Sequence, residues 1–330
     1  MAVIAHRGRS VRALIVLWFV RIVMKTVFRL FPMNDRTLPI LRAFDPYLSR
    51  VPNSVRGVRI EKIVLGGVPT ERIVPDGDAD PHPRAALVYY HGGAFIGCGL
   101  DTHRRIASLL ARGLRVPVYN VEYRQYPDGG VGTSVADGFA AYRELLESGE
   151  FDRILVAGDS AGGFVCAKVI EYAAEAGIQG PTAFAGFSPF LDISAGLPRT
   201  SRHDAMLPLA KIRKLRTVLG RGPEALRGPE DMTTDATAVY FPPTVLFAAS
   251  REALELDALE LHGSLDRAGV VNEVHLYDAQ VHAFVVGAGI TPESWHAYKT
   301  AVGFLSERLT EAEAEAGDGA AAPSPRSEVA

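Results

Sequence analysis

Between about residues 58 and 309, short apolar runs alternate with stretches of helical period. The runs at 84–93, 116–124, 153–160, 182–190, 243–250 and 272–278 are rich in β-branched and aromatic residues and predict strands. The stretches at 101–114, 134–148, 161–177, 254–270 and 294–309 predict helices, the first with Asp101 as its N-cap. Strand and helix alternating over this length imply a mostly parallel sheet with helices on both faces, an α/β fold.

The rhythm breaks at about 195–237, where SRHDAMLPLAKIRKLRTVLG (201–220) predicts a helix pair inserted before the next strand. Such an insertion commonly forms a lid over an apolar pocket. There is no internal repeat. Residues 311–330 are rich in Ala, Glu, Pro and Ser, cannot bury enough surface to offset chain entropy, and are expected to be disordered. The chain therefore divides into an N-terminal helical cap (1–55), a catalytic domain (56–310) with a cap insertion at about 195–237, and a tail.

Composition adds three constraints. Apolar residues make up 48 % of the 330, enough for a large core. A net charge of −3 gives no reason to expect nucleic-acid binding. Two cysteines, Cys98 and Cys166, make no disulfide framework and lack partners at metal-ligand spacing, which points to reduced thiols in a cytoplasmic protein without zinc. The charge is uneven, however. Residues 1–32 hold six basic side chains and no acid, which leaves −9 for the rest. Their uncharged run, 13–20, has the length of a signal-peptide core but lacks a small-residue cleavage site, and it is far short of the ~20 residues a bilayer span needs. Arg21, Lys25 and Arg29 share one helical face. The segment is thus expected to pack over the site as part of a lid, to lie on an anionic membrane surface, or both.

The sharpest motif is Gly158-Asp159-Ser160-Ala161-Gly162, a G-x-S-x-G between an apolar strand and an Ala-rich helix. A tight turn there exposes the serine hydroxyl as a nucleophile, with the helix start behind it. His91-Gly92-Gly93-Ala94-Phe95 follows another strand. Acyl transfer builds charge on a carbonyl oxygen, and the amides of Gly92 and Gly93, with that of Ala161, are the expected oxyanion donors. His91 is expected to hold the loop, and Asp159 to be structural beside the nucleophile.

H-G-G-A-F, V-E-Y-R-Q-Y-P-D (121–128) and G-D-S-A-G-G together resemble the hormone-sensitive-lipase family of bacterial esterases, of the α/β-hydrolase fold, over roughly residues 58–310. Three departures stand out: Ala94 replaces the family's third glycine, Glu122 an aspartate and Tyr126 an alanine. The resemblance implies a lid built from the N-terminal segment and the insertion. The base should follow the last strand, which leaves His282 among nine histidines, and His282-Ala283-Phe284 matches the family's ending. The acid should follow the strand 243–250. Glu252 is favoured, with Asp257 as the alternative and Asp278 a further one.

These parts describe a serine carboxylester hydrolase that acts on small to medium acyl esters through an acyl-enzyme and needs no metal or cofactor. An amidase, deacetylase or lactone hydrolase with the same triad, and a non-catalytic small-molecule-binding protein on the same scaffold, remain open. Expected partners are a small-molecule ester, a membrane surface at the N-terminal helix, and a second copy in a homodimer.

Overall fold

The computed structural model describes residues 3–32, 34, 36, 37, 40, 55–77, 81–194, 196–210 and 220–320, with only the backbone at 317–320. Nine strands form one sheet: β1 (Val3–His6), β2 (Val58–Leu65), β3 (Val68–Pro75), β4 (Ala85–Tyr90), β5 (Val118–Val121), β6 (Arg153–Asp159), β7 (Phe184–Phe187), β8 (Thr244–Ala249) and β9 (Asn272–Tyr277). Their order is β1-β9-β8-β7-β6-β4-β5-β3-β2. All neighbours are parallel except β2–β3 and β3–β5. The hairpin β2–β3 turns on Gly66 and Gly67 at φ 62° and 78°, the left-handed pair that matches strand twist.

The helices are α1 (Val11–Phe19), continued by a π-helical turn (Val20–Met24) into α2 (Lys25–Leu30), then α3 (Leu100–Leu114), α4 (Val131–Glu147), α5 (Ala161–Glu175), α6 (Asp235–Ala238), α7 (Glu255–Ala268) and α8 (Pro292–Ala320). Strands β4 and β8 are buried at every residue because helices cover both sheet faces. Alternate residues enter opposite cores. Val88, Tyr90, Val156 and Leu246 pack with α4, α5 and α7. Leu87, Tyr89, Leu155 and Phe247 pack with α3 and α8.

The fold differs from the sequence expectation in three places. Residues 3–6 of the expected helical cap are a strand, paired in parallel with β9. Four residues with an exposed face carry almost no period-2 signal; the pairing is supplied by a partner about 270 residues away. Helix α3 begins at Leu100, and Asp101 lies in its first turn, ion-paired to Arg104, while Thr102 Oγ1 accepts the Gly99 amide at 3.0 Å. Helix α8 continues to Ala320, so 311–320 of the expected disordered tail is helical: its Ala and Glu residues are good helix formers on an already packed helix. Residues 321–330 lie outside the described residues. So do 211–219 of the expected helix pair and most of 33–54.

Candidate active site

All the chemistry-bearing loops leave the carboxyl ends of parallel strands, where such sheets open a crevice. The loop after β4 carries 91–95, the turn after β6 carries Ser160, the turn after β8 carries Glu252, and the loop after β9 carries His282.

Ser160 sits at φ 48°, ψ −119°, a conformation L-residues rarely adopt, before the first turn of α5. The flanking glycines are required for space. A Cβ on Gly162 would lie 1.9 Å from the Tyr90 carbonyl oxygen, and one on Gly158 would lie 2.7 Å from Gly162. Replacing either would push the turn off β4.

His282 Nδ1 lies 2.8 Å from Glu252 Oε2, and Glu252 Oε1 accepts the Ala249 amide at 3.0 Å. The contact orients the ring and favours hydrogen at Nδ1. His282 Nε2 is buried and has no hydrogen-bond partner among the described residues, and it is not hydrogen-bonded to Ser160. Such contacts are commonly loose before substrate binds. Burial pushes the imidazole pKa down, but the carboxylates of Glu252, Asp204 and Asp159 outweigh it and hold it above the ordinary 6.5. Segment 187–190 ties the two loops together. Phe187 O accepts the Ser160 amide at 3.1 Å, the Phe190 amide donates to Ser160 O at 2.8 Å, and Ser188 Oγ accepts the Ala283 amide at 3.0 Å.

Asp257, the alternative acid, is turned elsewhere. Its carboxylate accepts Arg199 Nε and Nη2 at 2.7 Å each, and the amides of Leu191 and Asp192 at 2.7 and 3.0 Å. Burial raises its pKa, only partly offset by Arg199. Asp278, the further alternative, is not hydrogen-bonded to His282; its amide donates to His6 O at 3.1 Å.

The oxyanion loop requires a correction. The Gly92 amide donates to Asp159 Oδ1 at 3.0 Å, so it is not free to meet a substrate oxygen. That partner is remote in sequence, so the motif alone does not reveal it. The next amides belong to Gly93 and Ala94, for which no hydrogen bond is found among the described residues. Gly93, Ala94 and Phe95 run at φ 122°, 56° and 61°, a succession of left-handed residues that can turn amides toward one point. A Cβ on Gly93 would strike Gly97 O at 1.8 Å, so only glycine fits.

Asp159 anchors this loop. Its carboxylate also accepts the Tyr89 hydroxyl at 2.8 Å and faces His103 Nε2 at 3.2 Å. Burial pushes its pKa up, but His103, Tyr89 and Gly92 together leave it lowered and the group ionised. His91 is buried, stacks on Tyr123 with centroids 4.4 Å apart, and directs Nδ1 at Gly92 O, 2.7 Å away. Both residues thus act on the loop's backbone.

Sequence reasoning missed Asp204, His103 and Ser188. Asp204 is buried, and its Oδ2 accepts the Ala253 amide at 2.7 Å, next to Glu252. Its backbone oxygen accepts Lys25 Nζ at 2.5 Å. Asp204 lies in the expected lid with no local motif; only an acid in an apolar stretch could have drawn attention to it. No group of three or more His, Cys, Asp or Glu able to hold a metal occurs among the described residues.

Comparison with known proteins shows the family and the fold. Residues 87–286 match a family described as alpha/beta hydrolase fold. Esterase LipU of Mycobacterium tuberculosis is 32 % identical over 64 % of this chain and 74 % of its own length. Carboxylesterase/phospholipase LipF of the same species is 30 % identical over 78 % of this chain and 75 % of its own. Among solved structures, a hormone-sensitive lipase from a metagenome library superposes with a TM-score of 0.76 at 26 % identity, covering 90 % of this chain and 98 % of that one.

Proposed function

Because the chain belongs to the α/β-hydrolase family and is similar to its hormone-sensitive-lipase-type esterases, we propose that it is a serine carboxylester hydrolase that cleaves small to medium acyl esters through an acyl-enzyme. The observation that carries this reading is the buried Glu252–His282 pair with an unpartnered Nε2 at the strand ends that also carry Ser160.

His282 Nε2 takes the Ser160 proton as Oγ attacks the ester carbonyl carbon. The developing oxyanion is held by the amides of Gly93 and Ala161, with Ala94 in place of Gly92 as the third donor. His282 then protonates the departing alkoxide, leaving Ser160 acylated. Water, deprotonated by His282, attacks the acyl carbon and restores the serine. Glu252 stays ionised throughout and stabilises the imidazolium. Asp159 fixes the oxyanion loop and His91 its backbone turn. No step calls for a cofactor.

The restriction to small and medium acyl groups rests on likeness to esterases and on the short insertion, 195–237. Ser160→Ala should reduce hydrolysis of 4-nitrophenyl butyrate below about a hundredth of wild type with the fold unchanged. A fluorophosphonate probe should label wild type and not the variant. Retained activity would remove Ser160 from the role, and faster palmitoyl than butyryl hydrolysis would remove the chain-length assignment.

A further inference from the structure

The helical segment from Val11 to Leu30 turns a markedly apolar face to solvent. Val11, Ile15, Trp18, Phe19, Ile22 and Leu30 are each between 55 % and 75 % exposed. Their spacing follows the helical repeat, so they form one stripe. The opposite face is the one held by the fold: Ala13 is buried, Arg21 Nη2 donates to His203 O, and Lys25 Nζ donates to Ser201 O and Asp204 O. An apolar stripe of this extent on a surface marks an interaction site.

Charge identifies the partner. Residues 3–32 carry six basic side chains and no acid, against −9 for the remainder of the chain. Arg7, Arg9, Arg12 and Arg29 are exposed beside or before the stripe. A twofold pairing of this face with a second copy would set these four exposed arginines against their copies. The boundary of an anionic bilayer answers both features, since acyl chains take the apolar side chains and headgroups take the arginines. Among the described residues no helix is long and apolar enough to cross a membrane, so the helix would lie in the surface plane.

We propose that the outward face of the Val11–Leu30 helical segment docks on an anionic lipid bilayer. The inner face of the same helix holds the loop of Asp204 beside Glu252 and His282. Docking therefore brings that loop to about one helix diameter, ~10 Å, from the lipid surface.

Cosedimentation of the full chain with vesicles of phosphatidylcholine, alone or mixed with phosphatidylglycerol, tests this without any turnover, so it stands apart from the esterase reading. Binding is expected to the anionic vesicles, about tenfold or more weaker to the neutral ones, and weakened by high salt. Arg7→Gln with Arg9→Gln should weaken it by about fivefold per arginine. Phe19→Ser with Ile22→Ser should weaken it by about tenfold or more. Both pairs should keep the wild-type thermal midpoint. No binding to anionic vesicles overturns the proposal. So does equal binding to neutral vesicles at every salt concentration, or a dimer in solution that the Phe19/Ile22 variant dissolves.

Discussion

Glu252 and Asp257 lie on one loop-to-helix segment, yet their surroundings give them different work. Glu252 faces His282 at 2.8 Å; Asp257 is fully engaged by Arg199 and two amides. Glu252→Gln should lower kcat by about 10²–10⁴-fold with little change in thermal midpoint. Asp257→Asn should instead destabilise the fold by about 3 kcal/mol, since it leaves Arg199 buried with a weakened partner, and should largely spare kcat in the folded protein. Kinetics and thermal melts on the two variants separate the roles. The pH profile adds a sign. In the proposed mechanism His282 works when neutral, and the carboxylates around it hold its pKa above 6.5, so kcat/KM should fall as pH drops through a value above 6.5. Removing the Asp204 charge with Asp204→Asn lowers that pKa and should move the acid limb to lower pH. A limb that stays put would mean Asp204 does not act on His282. The strand-end positions of Ser160, His282 and Glu252 were legible in the sequence because each sits just past a recognisable strand. The Gly92 assignment was not, because whether an amide is free depends on a side chain distant in sequence.

At the scale of elements, the parallel strands and their helices could be read from periodicity because each is long enough to show one. β1 could not. Beside the backbone ladder, it is tied to β9 by its last side chain: the His6 ring stacks on Tyr277 with centroids 4.1 Å apart, and its Nε2 lies 3.0 Å from His275 Nδ1. Burial, then His275 and His296, lower the His6 pKa from 6.5 to about 4. A histidine whose pKa is depressed on folding contributes stability above its unfolded value and loses it as pH falls toward the folded value. The protein should therefore lose stability between pH 6.5 and about 4. His6→Phe keeps the stack but cannot be protonated, so its thermal midpoint should depend less on pH across that window. Identical pH dependence in both proteins would remove His6 from the acid response.

At the scale of the whole molecule, the N-terminal segment is continuous with the catalytic body. β1 extends the sheet, Ser10 Oγ donates to Glu293 Oε2 at 2.9 Å on α8, and Lys25 fastens the loop of Asp204. That loop in turn holds the Ala253 amide beside the acid that orients His282. Positional errors near 1 Å at reacting groups can cost about a hundredfold in rate. Removing residues 1–30 should therefore lower both the thermal midpoint and kcat on a soluble butyryl ester, kcat by about tenfold or more. The stability loss follows from baring β9 as an edge strand; the rate loss follows from freeing the loop of Asp204. Lys25→Met separates the two, because it leaves β1 and the Ser10–Glu293 bond in place. It should keep the thermal midpoint near wild type and still lose part of kcat, with KM changing less. A truncated chain that keeps full kcat on the butyryl ester would show that the N-terminal helix rests on the active-site loop without steadying it.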